Sequence, residues 1–173
     1  RRGKAAHASE PWEGVNAIAG MAPVIAALDS LAARVADRRD PLLGPATLVM
    51  TMIEGGIGRN VVPPSCSVLL DRRLLPGETA AQARGEIESV TSPLACEVEE
   101  VSLAEAASTR ADAPIALAAL GARTAALREP SGAAGFGACC DMWHLANHGG
   151  VPTVILGPGS LSQAHKSDEH IAI

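Results

Sequence analysis

Two runs of apolar-polar alternation, parted by a turn-rich stretch, set the strongest limit on how this chain folds. Residues 46–54, ATLVMTMIE, and 66–75, CSVLLDRRLL, alternate and are rich in Val, Leu, Ile and Thr. A period of two over such lengths marks strands with one covered face. GGIGRNVVPP breaks the first run and PGET ends the second. Ahead of them, Ile18, Met21, Ile25, Leu28 and Val35 recur at helical steps, as a helix laying one stripe on a core requires. Asn16 stands where an N-cap belongs, and Pro23, off the stripe, predicts a kink or a later helix start. Behind them, Thr79 and Gln82 have the spacing of a capping box and open a helix through about Val90. GKAAHAS (3–9) and CEVEEVS (96–102) read as outer strands, the second slipping at Glu99-Glu100 as at a bulge. The order β-α-β-β-α-β over residues 1–110 predicts an α+β unit, one sheet with both helices on one face in a ferredoxin-like layout.

Residues 111–173 have a different texture. Asp112 and Pro114 start a helix to about Arg128, EPSGAAGFG is a Gly-rich connection, and CDMWHLANH is a short helix with Asp141 near its start. VPTVILG reads as a continuous apolar strand of the buried parallel type. These elements look like the tail of an α/β domain whose other strands are absent, and with Arg1 opening in mid-strand the chain reads as a fragment.

Composition narrows the function classes. At 47% hydrophobic with one Phe, two Trp and no Tyr, the chain can bury a core, but Ala and small aliphatics must pack it. A net charge of -5 with both signs interspersed gives no nucleic-acid footprint. No apolar stretch is expected to reach the roughly 20 residues of a membrane span, and no signal peptide opens the chain. Cys66, Cys96, Cys139 and Cys140 form no CxxC pair and read as reduced, buried thiols of a cytoplasmic protein.

Four blocks in order resemble one family of metal-dependent deacylases and exopeptidases, that of acetylornithine deacetylase, succinyl-diaminopimelate desuccinylase, aminoacylase and glutamate carboxypeptidase. They are GKAAHAS with GVNAI (3–18), GG-GRNVVP (55–63), DRRLLPGET (71–79) and GGVPTVILGPGSLSQAHKSDEH (149–170). The last two look most like the acetylornithine deacetylase branch. The resemblance implies that residues 1–110 are a lid that also dimerises, and 111–173 the returning end of a zinc-exopeptidase catalytic domain. It implies a zinc-dependent amidohydrolase cleaving N-acyl amino acids or small peptides, working as a homodimer. Cobalt or manganese would suit the same imidazole and carboxylate ligands.

Residue by residue, the resemblance makes His165 the last metal ligand, a role in which a neutral imidazole must be held on a rigid loop. The other ligands and the general base would lie upstream of Arg1, so this chain alone is expected to be inactive. The alternative is a non-catalytic dimerisation or binding module. His7 would reach the partner subunit's site and stabilise the oxyanion of the tetrahedral intermediate, against a plainer reading as a half-buried strand histidine. Asn60 would contact substrate, or else satisfy a turn. Arg73 would grip a substrate carboxylate with its planar fork, or else close a strand-end salt bridge; Arg72 is assigned to solvent. Gly157 and Gly159 would aim backbone amides at substrate, or simply serve a tight turn. His144 and His148 have helical spacing but lack the zincin glutamate, so they read as a solvated face. Trp143 stands where several branches carry a substrate-binding arginine, which also favours the acetylornithine deacetylase branch.

Overall fold

Asn16 caps its helix as its position predicts: its side-chain oxygen accepts from the Ala19 N–H at 3.0 Å, ahead of helix α1, Ala17–Ala36. The computed structural model describes residues 1–164 and 166–171. It divides into two compact units, Arg1–Asp40 with Pro45–Leu103, and Pro41–Gly44 with Ala104–Ile173.

In the first unit α1 runs from Ala17 on through Pro23, against the later helix start that Pro23 offered. Pro23 is exposed, so the carbonyl it leaves unpaired meets water and the helix continues past it. Its apolar stripe is Ala17, Met21, Val24, Leu28, Leu31 and Val35; Ile18 and Ile25, expected inward, sit at its rim. By length and composition α1 could cross a membrane, which corrects the expectation that no such stretch exists. Here it lays its stripe on the sheet and on the second helix, the part of a core helix.

Strands β1 (Thr47–Gly55) and β2 (Cys66–Arg73) pair antiparallel from Thr47↔Arg73 to Gly55↔Cys66, with a bulge between Met50 and Met52. Helix α2, Ala80–Thr91, begins with the full capping box of Thr79 and Gln82. The first segment continues the sheet beyond β2, with bridges Arg2↔Ser65 and His7↔Val61. It forms no regular ladder because Lys4 instead exchanges both backbone bonds with Val15, each at 2.9 Å. That crossing explains two motif glycines. A Cβ at Gly3 would strike the Val15 carbonyl oxygen, and one at Gly14 would lie 2.8 Å from that of Lys4.

The expected last strand is not a strand. Cys96 and Val98 keep an inward alternation with Glu97 and Glu99 exposed, yet the link to the first segment runs through side chains. Arg2 meets Glu97 at 3.3 Å, and the Arg1 guanidinium caps the 3-10 turn Ser92–Leu94 that follows α2 by donating to the Leu94 and Ala95 carbonyls, each at 3.0 Å. Acidic residues at 97, 99 and 100 crowd this stretch with like charge, and the alternation ends where it was expected to slip.

The second unit carries helix α3, Pro114–Leu127, a short helical turn ending at His148 and the 3-10 turn Leu161–Gln163. VPTVILG forms no ladder, with Val151, Ile155 and Leu156 about half exposed. A parallel strand needs neighbours on both sides, and the described residues of this unit supply none. No described residue of it is fully buried.

Candidate functional site

The segments that carry His7 and Asn60 pair at one end of the sheet. The His7↔Val61 bridge sets the register, and the Ala8 N–H donates to the Asn60 carbonyl at 2.9 Å. Asn60 sits in the turn after Gly56, whose φ of +86° lies in the left-handed region that glycine adopts freely. Both side chains are exposed, so the plainer reading of His7 as half-buried does not hold. The His7 carbonyl accepts from Glu10 N–H at 2.9 Å, closing a tight turn. Within that turn the ring Nδ1 lies 2.7 Å from the Ser9 hydroxyl and accepts from the Ser9 N–H at 3.2 Å. Ser9 is a contact the sequence reading missed; its only signal was a hydroxyl two residues past a motif histidine.

Arg73 lies elsewhere. Seven residues of ladder, roughly 23 Å at about 3.3 Å per residue, separate it from Cys66, and His7 lies beyond the Cys66 end. Its fork is occupied by Asp71, with Nε–Oδ1 2.7 Å and Nη2–Oδ2 2.8 Å. Arg72, assigned to solvent from sequence, is the inward residue: its side chain is only 8% exposed. It donates to Glu78 Oε1 at 2.7 Å. Arg38, just past α1, donates to the same oxygen at 2.7 Å and to Glu86 of α2 at 2.7 Å. Glu78 Oε2 accepts the Leu75 N–H at 2.8 Å. Burial pushes the Glu78 carboxyl upward, but the bonds from Arg72, Leu75 and Arg38 outweigh it and hold the group below the usual carboxylate range. This network ties α1, β2 and α2 together and contains none of the candidate substrate residues.

In the second unit, Gly159 has φ +93°, which a tight turn requires of glycine. Added Cβ atoms at Gly157 and Gly159 would meet nothing within 4 Å, so neither glycine is there to admit neighbouring protein atoms. His165 lies outside the described residues. His144 and His148 are exposed and cluster with Trp143, ring centroids 3.8 Å (Trp143–His144), 5.0 Å (Trp143–His148) and 5.5 Å (His144–His148) apart. All four cysteines are free thiols, but only Cys66 is buried and Cys139 is exposed, which corrects the expectation of four buried thiols. Among the described residues no group of three or more His, Cys, Asp or Glu side chains could hold a metal ion. The described residues therefore do not by themselves fit a metal centre.

Comparison with known proteins converges on one kind. Residues 2–97 match the peptidase dimerisation domain of the M20 type. A "probable carboxypeptidase" of Talaromyces marneffei is 31% identical over an alignment covering 99% of this chain and 39% of that protein. Acetylornithine deacetylase of Myxococcus xanthus is 27% identical over 99% of this chain and 46% of its own length. A tripeptidase of Staphylococcus aureus superposes with a TM-score of 0.59 at 22% identity, covering 91% of this chain and 41% of that one; this likeness bears on the fold. The chain thus spans less than half the length of these relatives.

Proposed function

This chain belongs to the M20 peptidase dimerisation domain family, and from that premise we propose that it is the lid and C-terminal segment of a metal-dependent amidohydrolase acting on N-acyl amino acids or small peptides. The observation that carries the reading is that the segments holding His7 and Asn60 pair through their backbones at one exposed sheet end. An imidazole N–H there can donate to an oxyanion forming in a site on the partner subunit, and Asn60 can contact the substrate beside it. His165 is the residue assigned to the metal, with zinc the leading ion and cobalt or manganese the alternatives. Arg73 is the residue assigned to the substrate carboxylate; its fork meets Asp71 here in an exposed pair, which is weak.

Self-association has its own support. The outer edge of β1 pairs with no strand among the described residues, and Val49, Met52 and Ile53 along it are each more than half exposed. An unpaired edge of that kind is a template for a second copy. The exposed apolar residues of the second unit support its packing against further α/β structure supplied by a longer chain. Without that structure this polypeptide is a dimerisation module with no hydrolytic activity of its own.

The test is the full-length gene product assayed on N-acyl amino acids and short peptides, after chelation and after return of each metal. His7→Ala is expected to lower kcat by about 10²–10³, the usual loss on removing one oxyanion donor, with KM nearly unchanged. Mixing His7→Ala subunits with His165→Ala subunits should restore part of the activity, because hybrid dimers hold one intact composite site. Turnover indifferent to His7→Ala would refute the reading.

A further inference from the structure

A neutral imidazole carries one proton, and which nitrogen holds it decides whether the outward face of His7 can donate at all. The contacts within the turn make that choice. The Ser9 N–H can only donate, and it points at Nδ1, so Nδ1 must be the accepting nitrogen. The Ser9 hydroxyl, 2.7 Å from the same atom, must then donate to it as well. The turn is held from both ends. Glu10 N–H binds the His7 carbonyl, and Ala8 N–H binds the Asn60 carbonyl on the neighbouring segment.

We propose that Ser9 is a positioning residue for His7: by occupying Nδ1 as donor, it leaves the proton on Nε2, which faces away from the turn. The ring then offers an N–H without needing a charge. This rests on the reading of His7 as the oxyanion donor, since only a donor needs that tautomer. His170 supplies a contrast within the same molecule. Its Nδ1 lies 2.8 Å from the Asp168 carbonyl oxygen, which can only accept, so His170 holds its proton on Nδ1.

Long-range ¹H–¹⁵N correlation spectra of the labelled chain distinguish the two tautomers directly. They are recorded about two pH units above the ordinary histidine pKa of roughly 6.5. The expected result is an Nε2–H ring for His7 and an Nδ1–H ring for His170. Ser9→Ala keeps the backbone donor and loses the hydroxyl, so the Nε2–H to Nδ1–H ratio of His7 should fall about fivefold, the value of one neutral hydrogen bond. An Nδ1–H ring or an even mixture in the wild type overturns the proposal, as does a ratio that Ser9→Ala leaves unchanged. Neither result touches the turnover loss expected of His7→Ala, so failure of the oxyanion reading and failure of the Ser9 assignment are separable.

Discussion

Glu78→Gln is the most informative single change in the first unit. Glutamine keeps the shape of the side chain and can still accept the Leu75 N–H, but it brings an amide where two guanidinium groups expect a carboxylate. Arg72, 8% exposed, cannot turn to water for replacement. A charged hydrogen bond contributes about 1.5–3 kcal/mol, and breaking a buried ion pair from one side costs about 3–5 kcal/mol. Arg38 is 39% exposed and is resolvated, so its share is at most about 1 kcal/mol. The variant should therefore lose about 3 kcal/mol at neutral pH, a large part of a typical 5–15 kcal/mol. The pH dependence follows from the sign of the shift. The folded Glu78 carboxyl is held below its unfolded value, so its contribution is complete above the unfolded pKa of about 4.3 and is lost as pH falls through the lower folded value. The gap between wild type and variant should thus close in acid. Urea denaturation followed through NMR signals of α2 and β2 reads this unit separately from the other. A loss under about 1 kcal/mol at neutral pH, or an equal loss in acid, refutes the reasoning. As a control, adding Arg72→Met to Glu78→Gln should recover much of that loss, because no buried charge is left alone and the Leu75 N–H keeps its acceptor.

Two further changes test the backbone. Ala95→Gly should stabilise the first unit by about 1 kcal/mol, since Ala95 holds φ +53° at the end of the helical turn, a left-handed conformation costing an L-residue about 1–2 kcal/mol; an unchanged urea midpoint would count against this. Gly3→Ala should destabilise by at least about 2 kcal/mol and expose the Lys4 and Val15 amides to hydrogen exchange, because its Cβ would meet backbone atoms of Val15, Ala17 and Pro63. Retained protection at both amides would show that the crossing can relax.

Much of the first unit was legible because its signals are local. Asn16 and the Thr79–Gln82 box satisfy helix-end donors with side chains three residues away or nearer, so spacing alone places them. The hairpin followed from alternation, and the same alternation held a signal that was overlooked. Cys66, Val68, Leu70 and Arg72 share one parity on β2, and the first three turn inward. Arg72 had to follow them, whatever its charge. The later start that Pro23 offered is not used, because the Asn16 cap sets the first turn at Ala17.

The sequence by itself determined where helices and the hairpin begin and end, and it carried the four ordered blocks of the family resemblance, since caps, alternation and turn residues act within a few positions. Only the tertiary structure decided the rest. It brought the segment of His7 to the turn of Asn60 across some 50 residues of chain. It brought Arg38 to Glu78 and Glu86 across 40 and 48 residues, and it denied a ladder to residues 96–102 and to VPTVILG. The physical reason is common to all of these. A hydrogen bond's partner, and a strand's neighbour, are set by what the fold places within about 3 Å, a distance that spacing along the chain does not encode.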